Sequence, residues 1–174
     1  MKKQLVILIG LKGSGKTYIG SLIQSKLNII FFRVEDVWLS LKSERLSRVY
    51  ILEGFGLIEK KIDEMFLNTE QLIIESTGTT DYFEKFINKL RKKYDLKLVK
   101  VHTNPDLCLK RVRSRDSSMH VPVSDDIVKK INEDALKVNL NYDLIIDNEK
   151  SSDIEILDKI QKLLISTMHN RPNR

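Results

Sequence analysis

Leucine and β-branched residues concentrate in five short runs: Leu5–Ile9, Ile29–Phe32, Leu72–Ile74, Leu96–Val101 and Leu144–Ile146. These runs lack strict alternation, which suits strands covered on both faces, as in a parallel sheet. Between them the apolar spacing changes to three and four residues, the period of a helix buried on one face. Ile19, Leu22, Ile23 and Leu27 form one such stripe. Ile58, Ile62, Met65 and Phe66 form a second, and Phe83, Phe86, Ile87 and Leu90 a third. Asn104-Pro105-Asp106 reads as a cap followed by proline at a first helical position, leading into Leu107, Leu109 and Val112. Ser124-Asp125-Asp126 opens a further helix with Ile127, Val128 and Ile131 inward. Ser152-Asp153 opens the last, with Ile154, Leu157, Ile160 and Leu164 inward. Strands alternating with helices predict an α/β fold built on a parallel sheet.

The 174 residues fit one domain, expected over 1–168, with a polar tail, 169–174, that frays. No apolar run approaches the roughly 20 residues of a membrane helix. The basic start Met1-Lys2-Lys3 imitates a secretion signal, but its apolar stretch runs into Gly10 and Lys12 without a small-residue cleavage site. Cys108 is the single cysteine, so no internal disulfide forms, and the reducing cytoplasm is the expected setting. Lys and Arg outnumber Asp and Glu by 30 to 24. That excess of +6 is spread along the chain without interleaved aromatics. It supports an anionic ligand, with a nucleic acid possible but not favoured.

The strongest chemical signal is Gly10-Leu11-Lys12-Gly13-Ser14-Gly15-Lys16-Thr17, which satisfies G-x-x-x-x-G-K-[ST] in full. Glycines let the backbone N–H groups wrap phosphate oxygens. Lys16 brings a point charge to the β- and γ-phosphates, and the Thr17 hydroxyl is placed to ligate Mg²⁺. A strand-like run leads in and an amphipathic helix leads out, so the helix N-terminus adds its dipole to the same anion. Binding of a nucleoside triphosphate follows. A guanine-reading N/T-K-x-D element, a D-x-x-G switch and an LSGGQ signature are all missing, and the chain is short for a hexameric motor. A small kinase remains.

Glu35 and Asp36 follow the second strand, at the sheet end where open α/β folds bind ligands. Either could orient an attacking hydroxyl or accept its proton, and Glu35 could serve the metal. Glu75 ends the third strand, where an acid is costly unless metal, water or lysine satisfies it. Thr77, Gly78 and Thr79 follow and could line an acceptor pocket, or simply cap the next helix. In Lys110-Arg111-Val112-Arg113-Ser114-Arg115, Arg111 and Arg115 share a helical face while Arg113 points elsewhere. Trp38 and Tyr50 could line the acceptor site, with core burial the default, and Cys108 reads as a helical core residue. His102, His120 and His169 have no metal-site spacing.

From Leu8 to Asp36, with Phe31-Phe32-Arg33-Val34-Glu35-Asp36 closing the second strand, and through the later basic segment, the chain resembles the shikimate kinase and gluconate kinase branch of the nucleoside-monophosphate-kinase-like proteins. The resemblance implies a three-layer α/β/α P-loop NTPase fold, with a five-stranded parallel sheet in the order 2-3-1-4-5 and a mobile lid near 114–123. It implies ATP and Mg²⁺, transfer of the γ-phosphoryl group to a hydroxyl or phosphate of a small-molecule acceptor, and Arg111 or Arg115 reaching the ATP phosphates or adenine. It further implies an acceptor-binding arginine in the third helical segment, three glycines after the third strand, and an arginine before the last strand. The chain instead has Glu59, Gly78 alone within Ser76–Thr80, and Asn139-Leu140-Asn141-Tyr142-Asp143. The donor half of the site is therefore expected intact and the acceptor half altered, which counts against shikimate. A nucleotide or polynucleotide 5′-kinase and a non-catalytic ATP-binding module are the competing readings, with a monomer or homodimer expected.

Overall fold

Leu5, Ile7 and Leu8 have no accessible surface, which places the first apolar run at the centre of the molecule. The computed structural model describes residues 2–44, 47–114 and 124–169, apart from the side chains of 166–169. In chain order the elements are β1 (Gln4–Ile9), α1 (Lys16–Leu27), β2 (Ile30–Phe32), α2 (Glu35–Ser40), α3 (Arg48–Met65) and β3 (Gln71–Ser76). They continue with α4 (Phe83–Lys93), β4 (Asp95–His102), α5 (Pro105–Ser114), α6 (Asp125–Lys137), β5 (Leu144–Asp147) and α7 (Asp153–His169). All strands pair in parallel, in the order β2-β3-β1-β4-β5. The parallel sheet is the one the strand and helix pattern predicts, and the three-layer α/β/α phosphate-loop architecture with this strand order is the one the family resemblance implies.

Alternate residues of β1 serve opposite layers, as the two-residue period of a strand requires. Leu5, Ile7 and Ile9 pack with Phe55, Ile58 and Ile62 of α3 and with Phe83, Phe86, Ile87 and Leu90 of α4. Val6 and Leu8 pack with Ile19 and Ile23 of α1 and Ile156, Ile160 and Leu164 of α7. Burying a Leu, Ile or Phe side chain contributes roughly 1.5–3 kcal/mol, so the two layers jointly fix the sheet.

The differences from the sequence expectation are local. The last helix turns Ile156 inward and leaves Ile154 exposed, and Ile127 of α6 is partly exposed beside buried Val128. Ile30 of β2 and Ile145 of β5 are exposed because both strands lie at sheet edges. The helix before β3 begins at Arg48, ten residues ahead of the stripe that announces it, and α2 precedes it. The Ser47 hydroxyl accepts from the Tyr50 N–H and caps that early start.

Candidate active site

The register of β1 with β3 sets the site. Leu8 stands opposite Glu75 and Ile9 opposite Ser76, so the loop leaving β1 and the acid ending β3 emerge side by side. Between Ile9 and Lys16 the chain turns with φ of +93° at both Gly13 and Gly15, a region in which L side chains are strained. The Ser14 N–H donates to the Leu11 carbonyl at 3.1 Å. Helix α1 then begins with no side-chain cap and no acid in its first turn, which leaves its N–H groups for an anion.

Lys16 is buried, and its Nζ donates to the carbonyls of Gly10 (2.9 Å) and Leu11 (2.8 Å). Desolvation pulls its pKa down to about 8, against the opposing pull of the Glu75 carboxylate. Glu75 is buried too, and burial raises its pKa although Lys16 and the Thr17 hydroxyl work in the other direction. Thr17 Oγ1 donates to Glu75 Oε2 at 2.8 Å, while Glu75 Oε1 is buried without a hydrogen-bond partner.

Glu35 opens α2 and accepts from Lys12 Nζ at 3.3 Å, with Arg33 Nη2 at 3.5 Å from its other oxygen. Asp36 faces outward with 64% of its side chain exposed, 3.5 Å from Arg33 Nη1. The hydroxyls of Thr77 and Thr79 lie 3.0 Å apart, and Gly78 (φ +76°) turns the chain between them. A cavity of about 460 Å³ joins these groups. Gly13, Gly15, Lys16, Thr17, Glu35, Glu75, Thr77 and Thr79 line it; Asp36 and Gly78 do not. Trp38 and Tyr50 also face it, so these two aromatics are not simply core. Arg111, on α5, has a buried Nη1 without a partner, and it reaches toward Gly15, where an added Cβ would lie 3.7 Å away. Arg113 pairs outward with Asp125 at 2.8 Å. Arg115 and His120, with the rest of 115–123, lie outside the described residues.

No family model matches the chain. The shikimate kinase of Persephonella marina is 21% identical over 158 residues, covering 89% of this chain and 95% of that one. Among solved structures, the shikimate kinase of Aquifex aeolicus superposes with a TM-score of 0.64 at 19% identity, over 96% of this chain and 99% of its own. A gluconokinase of Sinorhizobium meliloti gives 0.66 at 15% identity, over 97% and 95%. The chain has the fold of the small P-loop kinases of the shikimate and gluconate kinase-like group and is similar in sequence to shikimate kinases. Among the described residues, no helix is long and apolar enough to cross a membrane.

Three polar residues that the sequence does not single out hold the phosphate loop from behind. Asn132 of α6 accepts from the Lys12 N–H at 2.7 Å and returns its own amide to the Lys12 carbonyl at 3.1 Å. Thr103 Oγ1 and Asn148 Nδ2 both donate to the Ser14 carbonyl, at 3.0 and 2.8 Å. Asn132 leaves one signal: it is four residues after Val128, a polar residue on the buried helical face. Glu59, where the family resemblance places an acceptor arginine, is turned away to Lys89 and Lys93 at 3.1 Å each. Cys108 is buried, and desolvation pushes its thiol up to about 11, so it stays a protonated core residue. Among the described residues no group of His, Cys, Asp and Glu gathers into a metal cluster.

Proposed function

We propose that this kinase transfers the γ-phosphoryl group of ATP, with Mg²⁺, to a hydroxyl of a small-molecule acceptor. The observation that carries the proposal is the meeting of a buried lysine, a threonine hydroxyl and a buried acid on one cavity beside the glycine loop. Residues 10–17 hold the triphosphate through main-chain N–H groups and the α1 N-terminus. Lys16 exchanges the Gly10 and Leu11 carbonyls for phosphate oxygens and stabilises charge on the transferring group. The unpartnered Glu75 Oε1 beside the Thr17 hydroxyl fits a hard cation that takes oxygen ligands. Thr17 and Glu75 would hold Mg²⁺, directly or through water, with Glu35 near enough to the same cavity to assist. When bound, the ion neutralises the β- and γ-phosphate oxygens.

Glu35 is placed to orient the acceptor hydroxyl and take its proton. The acceptor oxygen forms a bond to the γ-phosphorus as the bond to the bridging oxygen breaks, and that electron pair leaves with ADP. Arg111 supplies its free Nη1 to the phosphates. Residues 1–168 act as one kinase domain under this reading, and the cytoplasm supplies ATP and keeps Cys108 reduced.

Incubation of the protein with ATP, Mg²⁺ and a small-metabolite extract tests the reading. Mass spectrometry should show a phosphate ester that accumulates with ADP, and ADP without any new ester would count against acceptor transfer. The depressed Lys16 pKa adds a pH signature. Polyphosphate binding favours the protonated amine, so binding above pH 8 must take up a proton that the lysine already holds at pH 7. The Kd for ATP is expected to stay level from pH 6.5 to 7.5 and to weaken by up to about tenfold per unit above 8. Calorimetry across that range checks it, and a level Kd to pH 9.5 contradicts it.

A further inference from the structure

The cavity has two chemically different ends. At the phosphate-loop end stand Lys16, Thr17, Glu35 and Glu75. Away from it, Trp38, Tyr50, Ile51, Phe55, Ile58 and Phe86 give the wall an aromatic and aliphatic part, beside the hydroxyls of the segment after β3. The aromatic part is preassembled. Trp38 and Tyr50 have ring centroids 5.3 Å apart, Trp38 meets Phe55 edge-on at 5.4 Å, and Phe55 meets Phe86 at 4.8 Å. The Tyr50 hydroxyl donates to the Trp38 carbonyl at 3.0 Å and ties α3 to α2. The indole lies on Gly54, where a Cβ would come within 1.8 Å of the ring, so the glycine makes the seat for it.

Charge on the same lining points one way. Its acids are Glu35 and Glu75, and among the described residues its cations are Lys12 and Lys16. Lys12 is engaged by Glu35 and Lys16 by the phosphate loop. An acceptor carboxylate would therefore face two carboxylates and an apolar wall, an arrangement that disfavours a buried anion. A neutral molecule meets no such penalty, and flat or ring-shaped apolar surface is what the aromatic wall is suited to cover. One polar handle is unspent: Thr80 Oγ1 is buried on the cavity wall without a hydrogen-bond partner.

Resting on the kinase reading, we infer that the acceptor is an uncharged hydroxyl compound with an apolar ring body, not a carboxylated polyol. Its ring sits against Trp38 and Phe55, a second polar atom meets Thr80, and its hydroxyl points to Glu35 and the phosphate loop.

Trp38 is the only tryptophan of the chain, so its emission reports occupancy of this pocket without background. Para-methylbenzyl alcohol and para-carboxybenzyl alcohol make a matched pair of probes with the same ring and hydroxyl and opposite charge state. Titrated into the protein without nucleotide, the neutral probe should shift Trp38 emission saturably, and the carboxylated probe should bind at least about tenfold more weakly. Ile51→Arg, at a half-buried position of the wall, should reverse that preference; a variant that had merely lost its fold would bind neither. Equal or tighter binding of the carboxylated probe to the native protein overturns the inference, as does a saturable response to neither. Calorimetry with ATP on the same sample separates the two readings. If ATP binds and the neutral probe does not, the kinase assignment stands and the acceptor class falls; the reverse result overturns the kinase assignment, and the pocket's preference for a neutral ring then describes a ligand that is not a phosphoryl acceptor.

Discussion

Replacing Lys16 with alanine lowers turnover by roughly 10²–10³-fold while the protein stays folded. The size of the loss follows from the position of the amine. It is buried at the head of α1, held by two loop carbonyls that a phosphate can displace, and the other cation of the cavity lining, Lys12, is engaged by Glu35. The cation is worth more in a desolvated site than in water, because the local dielectric is low. Stability moves little, and the sign of the lysine's own contribution can be worked out. Its folded pKa, about 8, lies below the ordinary 10.5, so the unfolded chain binds more protons between those values. Stability therefore rises with pH through that window, and at pH 7 the buried ammonium is a cost that alanine removes. The gain is offset by Glu75, which loses a stabilising countercharge and is left more readily protonated. Tm is expected within about 4 °C of the parent, the equivalent of roughly 1 kcal/mol in a chain of this size. Initial rates with the accepted hydroxyl compound, beside a thermal melt, make the check. Near-parental turnover would remove Lys16 from the mechanism.

Gly13→Ala gives the opposite profile, a loss of fold stability together with loss of nucleotide binding. The residue has φ of +93°, and an added Cβ would sit 2.2 Å from the Cys108 carbonyl oxygen. That obstacle is backbone in the body of α5, so the loop, the helix or both must move. A non-glycine residue in this conformation costs about 1–3 kcal/mol before the clash is counted, so a total of at least about 3 kcal/mol is expected. The corresponding fall in Tm is roughly 6–12 °C. Gly56→Ala is the control. Gly56 is exposed within α3 with nothing within 4 Å of an added Cβ, so alanine there is expected to stabilise by up to about 1 kcal/mol. Parallel thermal melts of the two variants decide the matter, and equal melting temperatures would contradict the packing of the loop on α5.

The sheet and the phosphate loop are both legible in the order of the amino acids. Parallel strands buried on two faces concentrate Val, Ile and Leu, and each of the five runs lies within or largely within a strand of the fold. The loop motif is short and local, so its geometry is written in adjacent residues. The aromatic wall is not legible in this way. Trp38, Tyr50 and Phe55 have the composition of core, and only the way α2 folds against α3 turns them toward a cavity. The same helix pair escapes the pattern. A six-residue α2 is too short to show a period, and Gly54 and Gly56 interrupt the apolar stripe of α3. The Asn132, Thr103 and Asn148 supports are equally hidden, because each reaches a loop about 90 to 130 residues away through a single polar side chain. Glu35 and Asp36 are indistinguishable as neighbours in sequence. The start of α2 separates them, with Glu35 lining the cavity and Asp36 facing solvent.

In the proposed function, main-chain amides of the glycine-studded turn between β1 and α1 grip a polyphosphate. Calorimetric titration of ATP into the purified chain in magnesium buffer measures it most directly. One saturable binding event per chain, much weakened in Lys16→Ala, is the predicted result. Absence of binding heat from ATP and from GTP alike would contradict the account.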